Sequence, residues 1–110
     1  MKIISIIPAR GGSKSIPKKN IINFLGKPLI ARTIEQSINA KNINRTIVST
    51  DNQEITEISK KYGAEIIIRP DNISTDVATT ESAIQHVLTE LKNTDNYIPD
   101  VVVLLQPTSP

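Results

Sequence analysis

Four β-rich runs alternate with three helical patterns along this chain, and that order predicts an α/β fold on a mostly parallel sheet with right-handed crossovers. Two of the runs, Ile3–Ile7 and Val101–Leu105, are almost wholly apolar, as strands covered on both faces are. A third observation is a glycine-bearing basic segment directly after the first run, where an open α/β sheet commonly binds nucleotide.

The elements follow in order. Ile3–Ile7 is the first strand, and a loop from Pro8 to about Lys27 follows it. That loop is long for a small domain, which points to function. Pro28 suits a first helical position, and Ile30, Ile34 and Ile38 then recur every four residues with Ala31 beside them. Arg45–Ser49 is the second strand. Thr50 or Asp51 is the expected N-cap of the next helix, with Gln53 or Glu54 as its capping-box partner. Ile55, Ile58 and Tyr62 mark one face of that helix, and Gly63 ends it. Glu65–Ile68 is the third strand, broken by Arg69-Pro70-Asp71-Asn72. Ala83, Ile84, Val87, Leu88 and Leu91 draw a helical stripe within about 78–92. Val101–Leu105 is the fourth strand, and Gln106–Pro110 leaves it as a loop.

So apolar a strand as Val101–Leu105 calls for cover on both faces and a paired neighbour on each side. Nothing after it supplies these, so the expectation is that residues 1–110 form the N-terminal half of one larger nucleotide-binding domain. A four-strand domain protected by self-association is the alternative.

Composition narrows the class. Hydrophobic residues make up 38% and charged residues 22%, ordinary for a soluble protein, and aliphatics must do nearly all the packing because Phe24, Tyr62 and Tyr97 are the only aromatics. With no cysteine, disulfides and thiolate metal sites are excluded, which fits a reducing compartment. The apolar N-terminal run is too short for a signal segment or a membrane span, so a cytoplasmic protein without membrane contact is expected. The net charge of +2 hides a strong asymmetry: the first 34 residues carry +7 and the remainder −5. Positive charge so localised suits a compact polyanion such as a nucleoside triphosphate. Nucleic acid is not expected as a partner, because the basic segment lacks stacking aromatics apart from Phe24 at its edge.

Residues 7–20 read Ile-Pro-Ala-Arg-Gly-Gly-Ser-Lys-Ser-Ile-Pro-Lys-Lys-Asn. Glycine lets backbone approach a ligand closely, and the cations Arg10, Lys14, Lys18 and Lys19 can neutralise phosphate oxygens. The spacing is neither a Walker A loop nor G-x-G-x-x-G. It resembles the signature of the acylneuraminate cytidylyltransferases, the CMP-sialic acid synthetase family, and departs from it at Ser15, where glycine is common. Val48-Ser49-Thr50-Asp51, Arg69-Pro70 and Leu104-Leu105-Gln106-Pro107-Thr108-Ser109-Pro110 resemble further family marks in the same order.

The resemblance implies a Rossmann-like nucleotidyltransferase of the nucleotide-diphospho-sugar transferase type, a three-layer αβα fold here cut after the fourth strand. It implies transfer of CMP from CTP to a nonulosonic acid with release of pyrophosphate. Arg10 would grip the triphosphate with Lys14 nearby, the Gly11-Gly12 backbone would lie against the nucleotide, and Lys19 would neutralise the departing pyrophosphate; Arg10 and Lys19 are thus the catalytic candidates. Asn20 would bond near the ribose and phosphates. Arg69 and Thr80 would recognise the cytosine together with backbone around Ala9, and Gln106, Thr108 and Ser109 would line the sugar side. Among the sugars, the Gln106–Ser109 loop looks more like the N-acetylneuraminate and legionaminate enzymes than the pseudaminate ones. Mg²⁺ would be held by aspartates of the C-terminal half, so the 110 residues alone are expected to be inactive, and the full-length form would be a homodimer.

Each of these residues also has a plainer explanation. The lysines can form a solvated surface run, Arg69 can pair with Asp71 or Asp76, and Thr80 can cap a helix. Helix capping accounts for Asp51 and Asp76, and His86, off the apolar stripe, is expected to face solvent. As a whole, the chain could instead be a non-catalytic nucleotide-binding fragment or pseudo-enzyme, or a nucleotidyltransferase for another sugar.

Overall fold

A computed structural model describes residues 1–9, 23–24, 27–69 and 80–106. In chain order its elements are β1 (Ile3–Pro8), β2 (Asn23–Phe24), β3 (Lys27–Pro28), α1 (Leu29–Ile38), β4 (Arg45–Thr50), α2 (Gln53–Lys61), β5 (Glu65–Ile68), α3 (Thr80–Asp95) and β6 (Val101–Leu104). The four predicted strands and three helices are all present.

The uninterrupted apolar character of β1 follows from its place inside the sheet. It pairs in parallel with β4 on one side and β6 on the other, and β4 pairs in parallel with β5, giving the order β5-β4-β1-β6. Successive side chains of a strand point to opposite faces, so β1 feeds two cores at once. Ile7 joins Ile30, Ile34, Val48 and Ile55 under α1 and α2. Ile4 and Ile6 join Ile47, Val87 and Leu91 under α3. The result is three layers, with α1 and α2 on one face of the sheet and α3 on the other. β6 ends the sheet as described, and Val101 and Leu104 are each 40% exposed.

Local differences from the sequence reading have physical causes. The segment expected as loop up to Lys27 includes a short antiparallel pairing of β2 with β3, in which Pro28 sits opposite Asn23. Helix α1 therefore begins at Leu29, and Pro28 is not its first residue. Ile38, placed on the buried stripe by its spacing, is 46% exposed, whereas Ser37 is buried. An interval of four residues overshoots a 3.6-residue turn by about 40°, so two such steps carry Ile38 about 80° off Ile30, while Ser37 returns almost beneath it. There the Ser37 hydroxyl lies 2.5 Å from Ser5 Oγ and 2.6 Å from Thr46 Oγ1, a buried hydroxyl chain joining α1, β1 and β4.

The cap of α2 is Asn52, not Thr50 or Asp51. Asn52 Oδ1 accepts the N–H of Ile55 at 2.9 Å, and Thr50 Oγ1 accepts that of Asn52 at 3.1 Å, so the threonine bends the chain one step before the cap. The third residue past that cap is Ile55, so no capping box forms. Gly63 ends α2 as expected, at φ +98°, a region open to glycine. Helix α3 runs on to Asp95, where Asn96 at φ +51° turns the chain and donates to the Lys92 carbonyl. His86 does not face solvent: its side chain is 17% exposed, and Nδ1 is buried with no hydrogen-bond partner among the described residues. Its Nε2 lies 3.7 Å from Glu90 Oε1, one turn further along α3.

No helix among the described residues is long and apolar enough to cross a membrane.

Candidate nucleotide site at the carboxyl edge of the sheet

Because all four strands are parallel, their carboxyl ends share one edge. From β1 the chain steps outward through α1 to β4 and through α2 to β5, and then α3 returns it to the far side of β1. The direction reverses between β1 and β6. Open α/β sheets form their ligand crevice at such a reversal, outside the carboxyl ends of the strands. The segment that leaves β1 there is the basic glycine-bearing one, and the segment that leaves β6 begins with Leu105 and Gln106.

All four strand ends of the sheet are tied together at this edge. Ala9, buried just after β1, donates its N–H to the Ser49 carbonyl at 2.9 Å. Arg69 follows β5 and donates its N–H to the Thr50 carbonyl at 2.8 Å. Its side chain, 5% exposed, lies back over β4, with Nη2 3.0 Å from the Ser49 carbonyl oxygen and Nε 3.3 Å from Ser49 Oγ. Leu105 donates to the Ile6 carbonyl at 3.0 Å, extending the β1–β6 pairing and delivering the exposed Gln106 to the same edge. Thr80 opens α3, and a crossover helix running against its strands starts at their carboxyl edge.

Of the residues singled out from the sequence, Ala9, Arg69, Thr80 and Gln106 are therefore gathered along one edge. The candidates Arg10, Gly11, Gly12, Lys14, Lys19, Asn20, Thr108 and Ser109 lie outside the described residues, as do Asp71 and Asp76. Asp51 stands exposed, one residue ahead of the α2 cap, so capping does not explain it. Ser49 is the residue that sequence reasoning passed over. Its signal was a serine and a threonine closing a strand whose preceding Ile47 and Val48 are fully buried. Buried hydroxyls need partners.

The opposite, amino edge carries a different arrangement. Arg45 makes a two-point bridge to Glu65, with Nη2 2.5 Å from Oε1 and Nε 2.9 Å from Oε2, and Nη2 also reaches Asp95 Oδ2 at 2.9 Å. The guanidinium carbon lies 4.5 Å from the centre of the Tyr97 ring, with Lys2 Nζ 5.2 Å from that same centre. The hydrogen bond with Glu65, and then that with Asp95, keeps Arg45 charged to a pH still more alkaline than is usual for arginine. This cluster fastens β4, β5 and the end of α3 and stands away from the crevice.

Among the described residues, no group of three or more histidine, cysteine, aspartate or glutamate side chains could hold a metal ion. They therefore supply no cage for the Mg²⁺ expected from the sequence.

Comparison with known proteins identifies the family. The sequence model of a family described as "Cytidylyltransferase" matches residues 4–110. The chain is 47% identical over its whole length to a protein of Campylobacter jejuni named "Pseudaminic acid cytidylyltransferase", covering 47% of that protein. It is 39% identical over 99% of its length to the "N-acylneuraminate cytidylyltransferase" of Escherichia coli, covering 25% of it. The higher of these two identities thus falls on a pseudaminic acid enzyme. Among solved structures, that of a CMP:2-keto-3-deoxy-manno-octonic acid synthetase complexed with CTP superposes with a TM-score of 0.83 over all of this chain and 42% of its own. At 23% identity that likeness shows the fold, a Rossmann-like parallel sheet between layers of helix. The chain spans at most about half the length of these relatives.

Proposed function

We propose that this chain, which belongs to the cytidylyltransferase family, forms the nucleotide-binding part of an enzyme that transfers CMP from CTP to a nonulosonic acid and releases pyrophosphate. The observation that carries the proposal is the reversal between β1 and β6, which sends the basic segment and Gln106 out of the sheet at one crevice.

The roles in this reading are those that the resemblance of the motifs implies. The anomeric hydroxyl of the sugar attacks the α-phosphorus of CTP in line, and the leaving pyrophosphate carries the developing charge. Catalysis then depends on positioning and on cations arranged around that charge. Arg10, with Lys14 nearby, binds the triphosphate, and the Gly11-Gly12 backbone lies along it. Lys19 neutralises the pyrophosphate as it departs, and Asn20 bonds near the ribose. Arg69 and Thr80 face the cytosine. The N–H of Ala9 is committed to β4, so a base contact at that residue falls to its carbonyl oxygen. Gln106, Thr108 and Ser109 take the sugar side. A divalent cation would draw its carboxylates from outside the described residues.

For the sugar, identity to the pseudaminic acid enzyme favours a pseudaminic-type acceptor over N-acetylneuraminate. Pyrophosphate release by a full-length enzyme that contains this chain, with CTP and each acid in turn, tests both the reaction and the sugar. Release with the pseudaminic-type acid above that with N-acetylneuraminate is expected, and no release with any nonulosonic acid would refute the reaction. CTP titration by calorimetry should show binding that Arg10→Ala weakens by about 10-fold or more, the loss of a charge-assisted phosphate contact. The 110 residues alone should give no CMP-sugar, and measurable turnover from them would overturn that part.

A further inference from the structure

We infer that Ser49 is a positioning residue of the nucleotide site, setting the plane of the Arg69 guanidinium and coupling it to the backbone that opens the basic segment. This rests on the functional reading above, and it concerns a residue that reading does not use.

Ser49 is fully buried at the end of β4. A serine hydroxyl in such a place costs about 1–3 kcal/mol unless it is hydrogen-bonded. Arg69 Nε lies 3.3 Å from that hydroxyl, and Arg69 Nη2 lies 3.0 Å from the carbonyl oxygen of the same residue. These two nitrogens form one edge of the rigid guanidinium fork. When one residue engages that edge at two points, the plane of the fork is fixed relative to β4.

The same carbonyl oxygen also accepts the N–H of Ala9 at 2.9 Å. Its two lone pairs thus join the last residue described before the basic segment to the arginine after β5. A displacement at one is felt at the other through a single atom. Arg69 is 5% exposed, so its charge sits where removing a partner is costly, and the fork has little freedom to find another orientation.

Fixed orientation matters because of what a cytosine presents. O2 and N3 of the base are adjacent acceptors, whereas uracil replaces the N3 acceptor with an N–H donor. A fork of fixed plane can satisfy the first pair and meets a donor in the second. A mobile fork discriminates less. Ser49 therefore acts on base selectivity through Arg69 without touching the nucleotide.

The test is a double-mutant cycle on a full-length enzyme that contains this chain, with CTP and UTP affinities measured by calorimetry and folding checked by thermal melting. Ser49→Ala should weaken CTP by about 3- to 10-fold, the loss of one hydrogen bond's orienting effect, and narrow the CTP-over-UTP ratio. In Arg69→Ala, or in Arg69→Lys if the alanine variant does not fold, the added Ser49→Ala change should have no further effect. Ser49→Cys puts a somewhat larger side chain with a weaker acceptor in place of the hydroxyl and should behave as Ser49→Ala does; because one variant adds volume and the other removes it, the same outcome in both guards against a packing effect. If Arg69→Ala weakens CTP while Ser49→Ala and Ser49→Cys leave affinity and selectivity unchanged, or if the two losses simply add, the inference is wrong. If Arg69→Ala leaves CTP affinity intact, the role given to Arg69 fails, and this inference fails with it.

Discussion

Ser37 and Ser59 are both buried serines on helices, yet their environments predict opposite effects of the same substitution. Ser37 stands between Ser5 and Thr46 with a hydroxyl contact to each. Ser37→Ala would leave two buried hydroxyls short of a partner, and should destabilise the fold by about 1–3 kcal/mol. Ser59 has the same burial, but its Oγ has no hydrogen-bond partner among the described residues. Ser59→Ala removes that unpaired group and replaces serine with the best helix former, so it should stabilise by about 0.5–1.5 kcal/mol. Urea denaturation of both variants checks the pair, and a loss of stability in Ser59→Ala would show that its hydroxyl is satisfied. Neither serine was legible in the sequence. The apolar stripe of α1 was read at intervals of four, which favoured Ile38, and the register that buries Ser37 emerges only from the 3.6-residue turn accumulated over seven positions.

Secondary-structure elements were legible wherever a single physical signal dominated. The apolar runs of β1 and β6, the stripe of α3 and the stop at Gly63 all stand where the pattern puts them. Boundaries decided by competition between neighbours were not. Thr50, Asp51 and Asn52 are three good capping residues in a row, and sequence favours none of them strongly. Geometry chooses Asn52, because Thr50 is held in β4 opposite Ile68 and spends its hydroxyl on the Asn52 N–H. Asn52→Ala should therefore cost about 1 kcal/mol, through the orphaned Ile55 N–H, while Asn52→Asp should be nearly neutral. Chemical denaturation of both variants tests the assignment, and equal losses in the two would point to a contact other than the cap. The weak β2–β3 pairing was read as loop for a related reason: two residues a side carry no periodicity to detect.

At the scale of the whole molecule, the parallel sheet separates two tasks between its edges. The carboxyl edge gathers Ala9, Ser49, Arg69 and Gln106, the residues proposed for the nucleotide site, whereas the amino edge holds Arg45 against Glu65, Asp95 and Tyr97. That Ala9, Arg69 and Gln106 share the carboxyl edge was legible because each follows a strand that the sequence pattern marks in a parallel sheet. The Arg45 cluster was not, since its members are 20 and 50 residues apart in sequence and only the strand order brings them together. The separation predicts that stability and binding can be changed independently. Arg45→Gln removes a charged fork that bridges two strands and a helix end. Glu65 and Asp95 are about half exposed, so solvent screens what they lose, and the expected cost is only about 1–2 kcal/mol. The elevated pKa of Arg45 adds stability that is complete below its unfolded value and lost only as pH rises through the folded one. Both lie in the strongly alkaline range, so this contribution stays constant across neutral pH. Arg45→Gln should thus lower the melting temperature by a similar amount at pH 6 and pH 8, with the CTP affinity of the folded protein unchanged within about 2-fold. Melting curves and calorimetry on the same preparations would decide it. A large loss of CTP affinity at full folding would mean that the two edges are coupled through β4.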